Sequence, residues 1–203
     1  MKRQASTPIL SALSAEWLRG RFLTGLPDGG PREDGVPPGP LRPAAVLVPI
    51  VLREPEPTVL LTRRTDHLHH HPGQVSFPGG RVEDQDTSPI DTALRETEEE
   101  ISLRRAHVEL LGCLPQYQTG TGFDITPVVG LVTPPFELQL DPFEVAEVFE
   151  VPLAFLLDTS NHQRHSAIIR GARREYYAMP YGEYFIWGAT AGMLVSLQRF
   201  VCR

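Results

Sequence analysis

The stretch from Phe77 to Leu103, F-P-G-G-R-V-E-D-Q-D-T-S-P-I-D-T-A-L-R-E-T-E-E-E-I-S-L, constrains the fold more than any other part of the chain. It reads as the end of a strand, a glycine turn, a short acidic loop and then a helix. Ser88 suits the N-cap and Pro89 the first helical position, where its missing N–H does no harm. Asp91 stands three residues after the cap, as in a capping box. At about 100° per residue, Ile90, Ala93, Leu94, Thr97 and Ile101 share one arc that can face a core. Glu96, Glu99 and Glu100 share a neighbouring arc, while Glu98 points elsewhere.

Three carboxylates in one patch near a helix C-terminus repel one another and meet the negative end of the helix dipole, at a cost of roughly 1–3 kcal/mol. A divalent cation among them reverses the sign of that term, and oxygen-only ligation points to Mg²⁺ or Mn²⁺ rather than zinc. A solvated charged face is the other reading of E-x-x-E-E. The surroundings favour the cation: Gly79 and Gly80 can take positive φ and bring backbone carbonyls close to a ligand, and Arg95 stands beside Glu96 to hold the cluster.

The run from Gly80 to Leu103 resembles the Nudix box, G-x5-E-x7-R-E-U-x-E-E-x-G-U with U aliphatic, through Gly80, Arg95, Glu96, Glu99, Glu100 and Leu103. Asp86 takes the place of the first Glu, with eight residues rather than seven before Arg95; Thr97 replaces an aliphatic residue and Ser102 the late glycine. The resemblance implies a Nudix-type α/β/α sandwich with mixed β-sheets. It implies Mg²⁺ or Mn²⁺ held by Glu96, Glu99 and Glu100 with the Gly80 carbonyl, and a catalytic group of Glu99, Glu100 and Arg95, in which Arg95 orients the carboxylates. Beyond the box, related enzymes often carry a further acidic residue as base or extra ligand. Glu144 is the candidate, with plain solvation beside a strand as its alternative.

Upstream, L60-L61-T62-R63-R64-T65 and L68-H69-H70-H71-P72-G73-Q74-V75-S76-F77-P78-G79-G80 resemble the signature of the coenzyme A pyrophosphatases within the Nudix hydrolases. His69 stands where that signature has its second arginine. The resemblance implies substrate binding by Arg64, His69 and Gly73, with cationic donors suited to the 3′-phosphate and diphosphate of coenzyme A. Products would be 3′,5′-ADP and 4′-phosphopantetheine, with ADP-ribose or NADH as rival substrates and a non-catalytic nucleotide-binding domain as a third reading. A zinc site at H67-x-H69-H70-H71 lacks structural zinc spacing and any accompanying cysteine, which leaves a polar binding loop. The C-terminal Y-F-I-W-G-A-T-A-G-M-L also resembles a segment of these enzymes; Trp187 or Tyr181 could stack on adenine or pack in the core.

Composition narrows the rest. A chain of 203 residues suits one domain with a substantial core. The expected division is residues 1–43 as an N-terminal helix and Pro/Gly-rich connector packed on the domain, and 44–203 as the Nudix hydrolase domain. A net charge of −6 argues against a nucleic-acid surface. Cys113 and Cys202 form no disulfide framework, and neither a secretory signal nor a membrane span is legible, so the expected location is cytoplasmic. The expected partner is a small coenzyme A-like nucleotide, with no nucleic acid and no membrane; a homodimer stays open.

Strands are expected at Ala44–Leu52, Thr58–Arg63, Val75–Phe77, Val108–Leu114, Ile125–Val132, Val145–Val151 and Tyr184–Trp187. A hairpin around Gly171 would pair Ser166–Ile169 with Glu175–Met179. Helices are expected at Ser11–Leu23, Pro152–Leu157 and about Ala189–Phe200.

Overall fold

The computed structural model describes residues 13–25, 32–67, 73–169 and 171–203. In chain order it forms α1 (Ala15–Leu23), β1 (Arg42–Val51), β2 (Thr58–Arg64), β3 (Val75–Ser76), β4 (Gly79–Arg81) and α2 (Pro89–Ile101). Then come β5 (Val108–Cys113), β6 (Tyr117–Gln118), β7 (Phe123–Val132), β8 (Val145–Pro152) and α3 (Leu153–Leu157). The chain closes with β9 (Gln163–Ile169), β10 (Ala172–Tyr181), β11 (Tyr184–Trp187) and α4 (Gly188–Val201).

β1 is the axis. It runs parallel to β7 along its whole length, pairs antiparallel with β2 at its end, and pairs antiparallel with β4 at its start. The main sheet is therefore mixed, in the order β3-β2-β1-β7-β5, with β8 on β2 and β6 on β7. A second, antiparallel sheet has the order β11-β10-β9.

Period-two alternation sends the β1 side chains into two cores. Val46, Val48 and Ile50 join Leu18 of α1, Leu156 of α3 and Leu194 and Leu197 of α4. Ala45, Leu47 and Val51 join Ala93, Leu94 and Ile101 of α2. Both faces are covered by helices, so the strand is apolar throughout rather than alternating. Each buried aliphatic side chain contributes about 1.5–3 kcal/mol, which fixes α2 against the sheet without help from its charged face.

Helix α2 starts where the sequence places it. The Asp91 N–H donates to Ser88 Oγ at 3.2 Å, and Pro89 opens the first turn. At the other end Ser102 adopts the left-handed conformation, φ 57° and ψ 23°, and its N–H donates to the Glu98 carbonyl. The carbonyls of Glu100 and Ile101 accept from the N–H groups of Asp141 (2.8 Å) and Gln139 (3.2 Å), so the segment after β7 caps the helix. Serine in this conformation carries a strain that glycine does not. Ser102→Gly is expected to stabilise the protein by about 0.5–1 kcal/mol, read as a rise in the denaturant midpoint at constant slope.

The structure corrects three expectations. Gly79 and Gly80 form no turn; with Arg81 they make β4, paired with Val46, Ala45 and Ala44. Gly79 has φ 151°, and a Cβ there would stand 2.4 Å from the Ala45 carbonyl oxygen, so only glycine permits this strand approach. The hairpin at Gly171 is tighter than expected: Ile169 faces Ala172 and Ser166 faces Glu175, because Gly171 at φ 78° closes a short turn. Finally, of the helix expected over Ser11–Leu23, residues 11 and 12 lie outside the described residues, and α1 begins at Ala15, since Ser14 takes the N-cap and accepts from the Trp17 N–H. No helix among the described residues is long and apolar enough to cross a membrane.

Candidate active site

Arg95 is the hub of the acidic face of α2. Its Nε and Nη2 donate to the two Asp86 oxygens at 2.9 and 3.0 Å, while Nη1 lies 3.0 Å from Glu96 Oε1 and 2.9 Å from Glu99 Oε2. Asp86 also accepts from the Thr92 hydroxyl and the Glu83 N–H, and its side chain is only 1% exposed. The Arg95 guanidinium, with those further donors, holds the Asp86 carboxyl far below the usual carboxylate range. Asp86 is thus the anchor of Arg95, a role that its place in the sequence marked but did not define.

Glu100 lies on the sheet side of the helix and is 5% exposed. The Gly79 N–H donates to its Oε2 at 3.3 Å, and Arg64 Nη1 approaches its Oε1 at 3.9 Å. Burial, with the charges of Glu144 and Glu96 adding to it, pushes its carboxyl up to about 8 against the pull of Arg64. Burial likewise raises the Glu96 carboxyl, with Arg95 opposing.

The expected single patch of three carboxylates is therefore divided. Glu99, with its side chain 59% exposed, turns to Arg95; Glu96 is half-buried on the same arginine; Glu100 faces Gly79 and Arg64. Among the described residues no three His, Cys, Asp or Glu side chains form a ready cage. The physical reason is that Arg95 draws Glu96 and Glu99 to itself, while Gly79 and Arg64 draw Glu100 toward the sheet. The donor chemistry still fits a hard divalent cation. All the side-chain donors are carboxylate oxygens, and the backbone at Gly80 is packed so closely on Glu96 that a Cβ would meet its carboxylate at 2.4–2.5 Å. A divalent cation held there would supply positive charge to Glu100 beyond the distant Arg64 guanidinium.

The other candidate residues fall as follows. Glu144 precedes β8, and its carboxylate acts electrostatically on both Glu96 and Glu100, with Arg64 Nη2 at 3.8 Å from its Oε2. Arg64 thus bridges Glu100 and Glu144 at distances too long for hydrogen bonds, leaving its donors available to an anion. Gly73 sits at φ 66°, where a Cβ would approach Asp66 Oδ1 at 2.8 Å. His69 lies outside the described residues. Glu147, by contrast, is engaged by Arg63 at 3.0 Å and by the Tyr184 hydroxyl. Tyr181 packs against Phe155 and Trp187 against Tyr176, so both rings are used in packing. One aromatic next to the carboxylates escaped the sequence reading: Phe143, within the Asp-Pro-Phe-Glu turn.

A mixed sheet between helices, with an arginine-bound glutamate face on one of them, defines a recognisable class of hydrolase. Residues 41–171 match the NUDIX domain, and the chain belongs to the Nudix family. It is 46% identical over 156 residues to "Uncharacterized Nudix hydrolase NudL" of Escherichia coli O6:H1 (strain CFT073), covering 77% of this chain and 81% of that protein. The protein of the same description from Escherichia fergusonii matches with the same identity and coverage. Among solved structures, that of a Nudix hydrolase from M. smegmatis, RenU, superposes with a TM-score of 0.56 at 17% identity, over 87% of this chain and 96% of that one, which shows the fold.

Proposed function

We propose that the protein cleaves the diphosphate bond of coenzyme A or a derivative in a Mg²⁺- or Mn²⁺-dependent hydrolysis that yields 3′,5′-ADP and 4′-phosphopantetheine. The observation that carries the substrate is the run from Leu60 to Gly80, which resembles the coenzyme A signature apart from His69 and supplies Arg64 to the acidic cluster. The small-molecule partner, the cytoplasmic location and the role of residues 1–43 as an extension packed on the hydrolase domain belong to the same proposal.

Glu96, Glu99 and Glu100, with the Gly80 carbonyl, would hold the cation. When bound, such an ion supplies the positive charge that neutralises a diphosphate and lowers the pKa of a water. Arg95, fixed by Asp86, holds Glu96 and Glu99 in register. Arg64 would bind a diphosphate oxygen, drawing it away from Glu144 and leaving that carboxylate, which is not among the cation's ligands, to accept the proton of the attacking water. Glu144, more exposed than Glu100, is the proposed base. Gly73 and His69 complete the substrate side.

The test is product analysis by mass after incubation with Mg²⁺ or Mn²⁺ and a panel of coenzyme A, its acyl esters, NADH and ADP-ribose. Release of 3′,5′-ADP from coenzyme A is the expected result. Preferential cleavage of ADP-ribose or NADH would replace the substrate while keeping the reaction; the histidine at position 69, where the signature has an arginine, is what motivates that second reading. Cleavage of none of them would remove the enzyme.

A further inference from the structure

Among the described residues most large apolar side chains are buried or partly buried, and the exposed ones are Leu23, Leu110, Phe143, Ile168 and Phe185. Phe143 alone among these directly precedes a residue of the acidic cluster, Glu144, and it is 64% exposed. Exposure of a ring on a loose loop would carry little meaning, but this turn is held from every side. The Phe143 N–H donates to Asp141 Oδ1 at 2.8 Å, and its carbonyl accepts from the Thr65 hydroxyl at 2.7 Å. The Thr65 N–H donates to the Glu144 carbonyl at 3.0 Å, and the Asp141 N–H reaches the Glu100 carbonyl at 2.8 Å. The main chain is tied to Thr65, the residue after β2, and to α2 while the ring stays open, an arrangement pre-organised for a ligand. His67 stands against the ring with centroids 4.8 Å apart and planes 59° from parallel, so it braces the phenyl group without stacking over it.

Charge selects what can lie there. Asp141 and Glu144 flank Phe143, and a further phosphate of the substrate would be repelled by them. A neutral, planar group fits both the ring and the flanking carboxylates. We propose that Phe143, braced by His67, is the stacking platform for the nucleobase of the substrate, the place that the sequence suggested for Trp187 or Tyr181. This rests on the diphosphate-hydrolase reading above.

The experiment compares the wild-type protein, Phe143→Ala and Phe143→Trp in steady-state hydrolysis of coenzyme A with Mg²⁺. Phe143→Ala is expected to raise KM about tenfold with kcat unchanged, and Phe143→Trp to restore the wild-type KM. An unchanged KM in Phe143→Ala overturns the platform, as does a loss confined to kcat. A change in sedimentation with KM unchanged overturns it too, and makes the ring a protein contact. Should the wild-type protein cleave no diphosphate, the hydrolase reading has failed by itself, and calorimetric titration with ADP and Mn²⁺ then decides the platform alone. About tenfold weaker binding by Phe143→Ala upholds it, and equal binding overturns it.

Discussion

In chelator-treated protein, Glu100→Gln is expected to raise the melting temperature at pH 8 and to leave it nearly unchanged at about pH 4. The folded carboxyl titrates near 8 because burial and the neighbouring glutamates penalise its charge, whereas an unfolded glutamate titrates near its ordinary 4.5. Between those values the folded chain keeps a proton that the unfolded chain has lost. Stability from this group is therefore complete below the lower value and is lost as pH rises through the upper one. The loss is on the order of 3–5 kcal/mol, and a glutamine, which stays neutral and can still accept from the Gly79 N–H, escapes it. Turnover with Mg²⁺ should fall by orders of magnitude in the same variant, since the amide cannot supply the charge that a cation needs. Melting curves at several pH values decide the first part. A wild-type slope identical to that of Glu100→Gln would show that Glu100 is not the group whose ionisation opposes folding.

Gly79→Ala and Gly80→Ala should fail in opposite ways. At Gly79 a Cβ would meet main-chain atoms, the Ala45 oxygen at 2.4 Å and Val46 Cα at 2.6 Å, at a φ of 151° that alanine rarely adopts. Buried backbone cannot give way, so β4 must part from β1 at a cost of roughly 3–5 kcal/mol. At Gly80 the new methyl group meets only the end of the Glu96 side chain, which can swing aside. That variant should keep its stability to within about 1 kcal/mol and lose activity, because a displaced Glu96 no longer stands beside Arg95. Denaturant unfolding and turnover, measured on both proteins, separate the two. Equal stability loss in both would contradict the geometry.

The parts of the fold that were legible in the sequence are those with local causes. Helix α2 announces its start through Ser88 and Pro89, and β1 and β7 announce themselves by β-branched, apolar runs. The strand β4 was not legible, because two glycines and an arginine carry no strand propensity and their pairing is dictated by Ala44–Val46, far away in sequence. Helical spacing placed Glu96, Glu99 and Glu100 together but could not show that the first two share Arg95 while the third turns to Gly79 and Arg64. The burial of Glu100 depends on β2 and on the turn at Asp141, neither of which the helix reports. Phe143 was missed for a related reason: nothing local distinguishes an aromatic just before a strand that packs inward from one that the fold leaves exposed.

The bonds from residues 139 and 141 onto the last carbonyls of α2 involve main-chain atoms only. The exposed side chain at position 143 can therefore be exchanged over generations without loosening the joint between turn and helix. Preference for one molecule over another can drift at that position while the end of α2 that carries Glu100, joined to the turn by peptide groups, stays where it is.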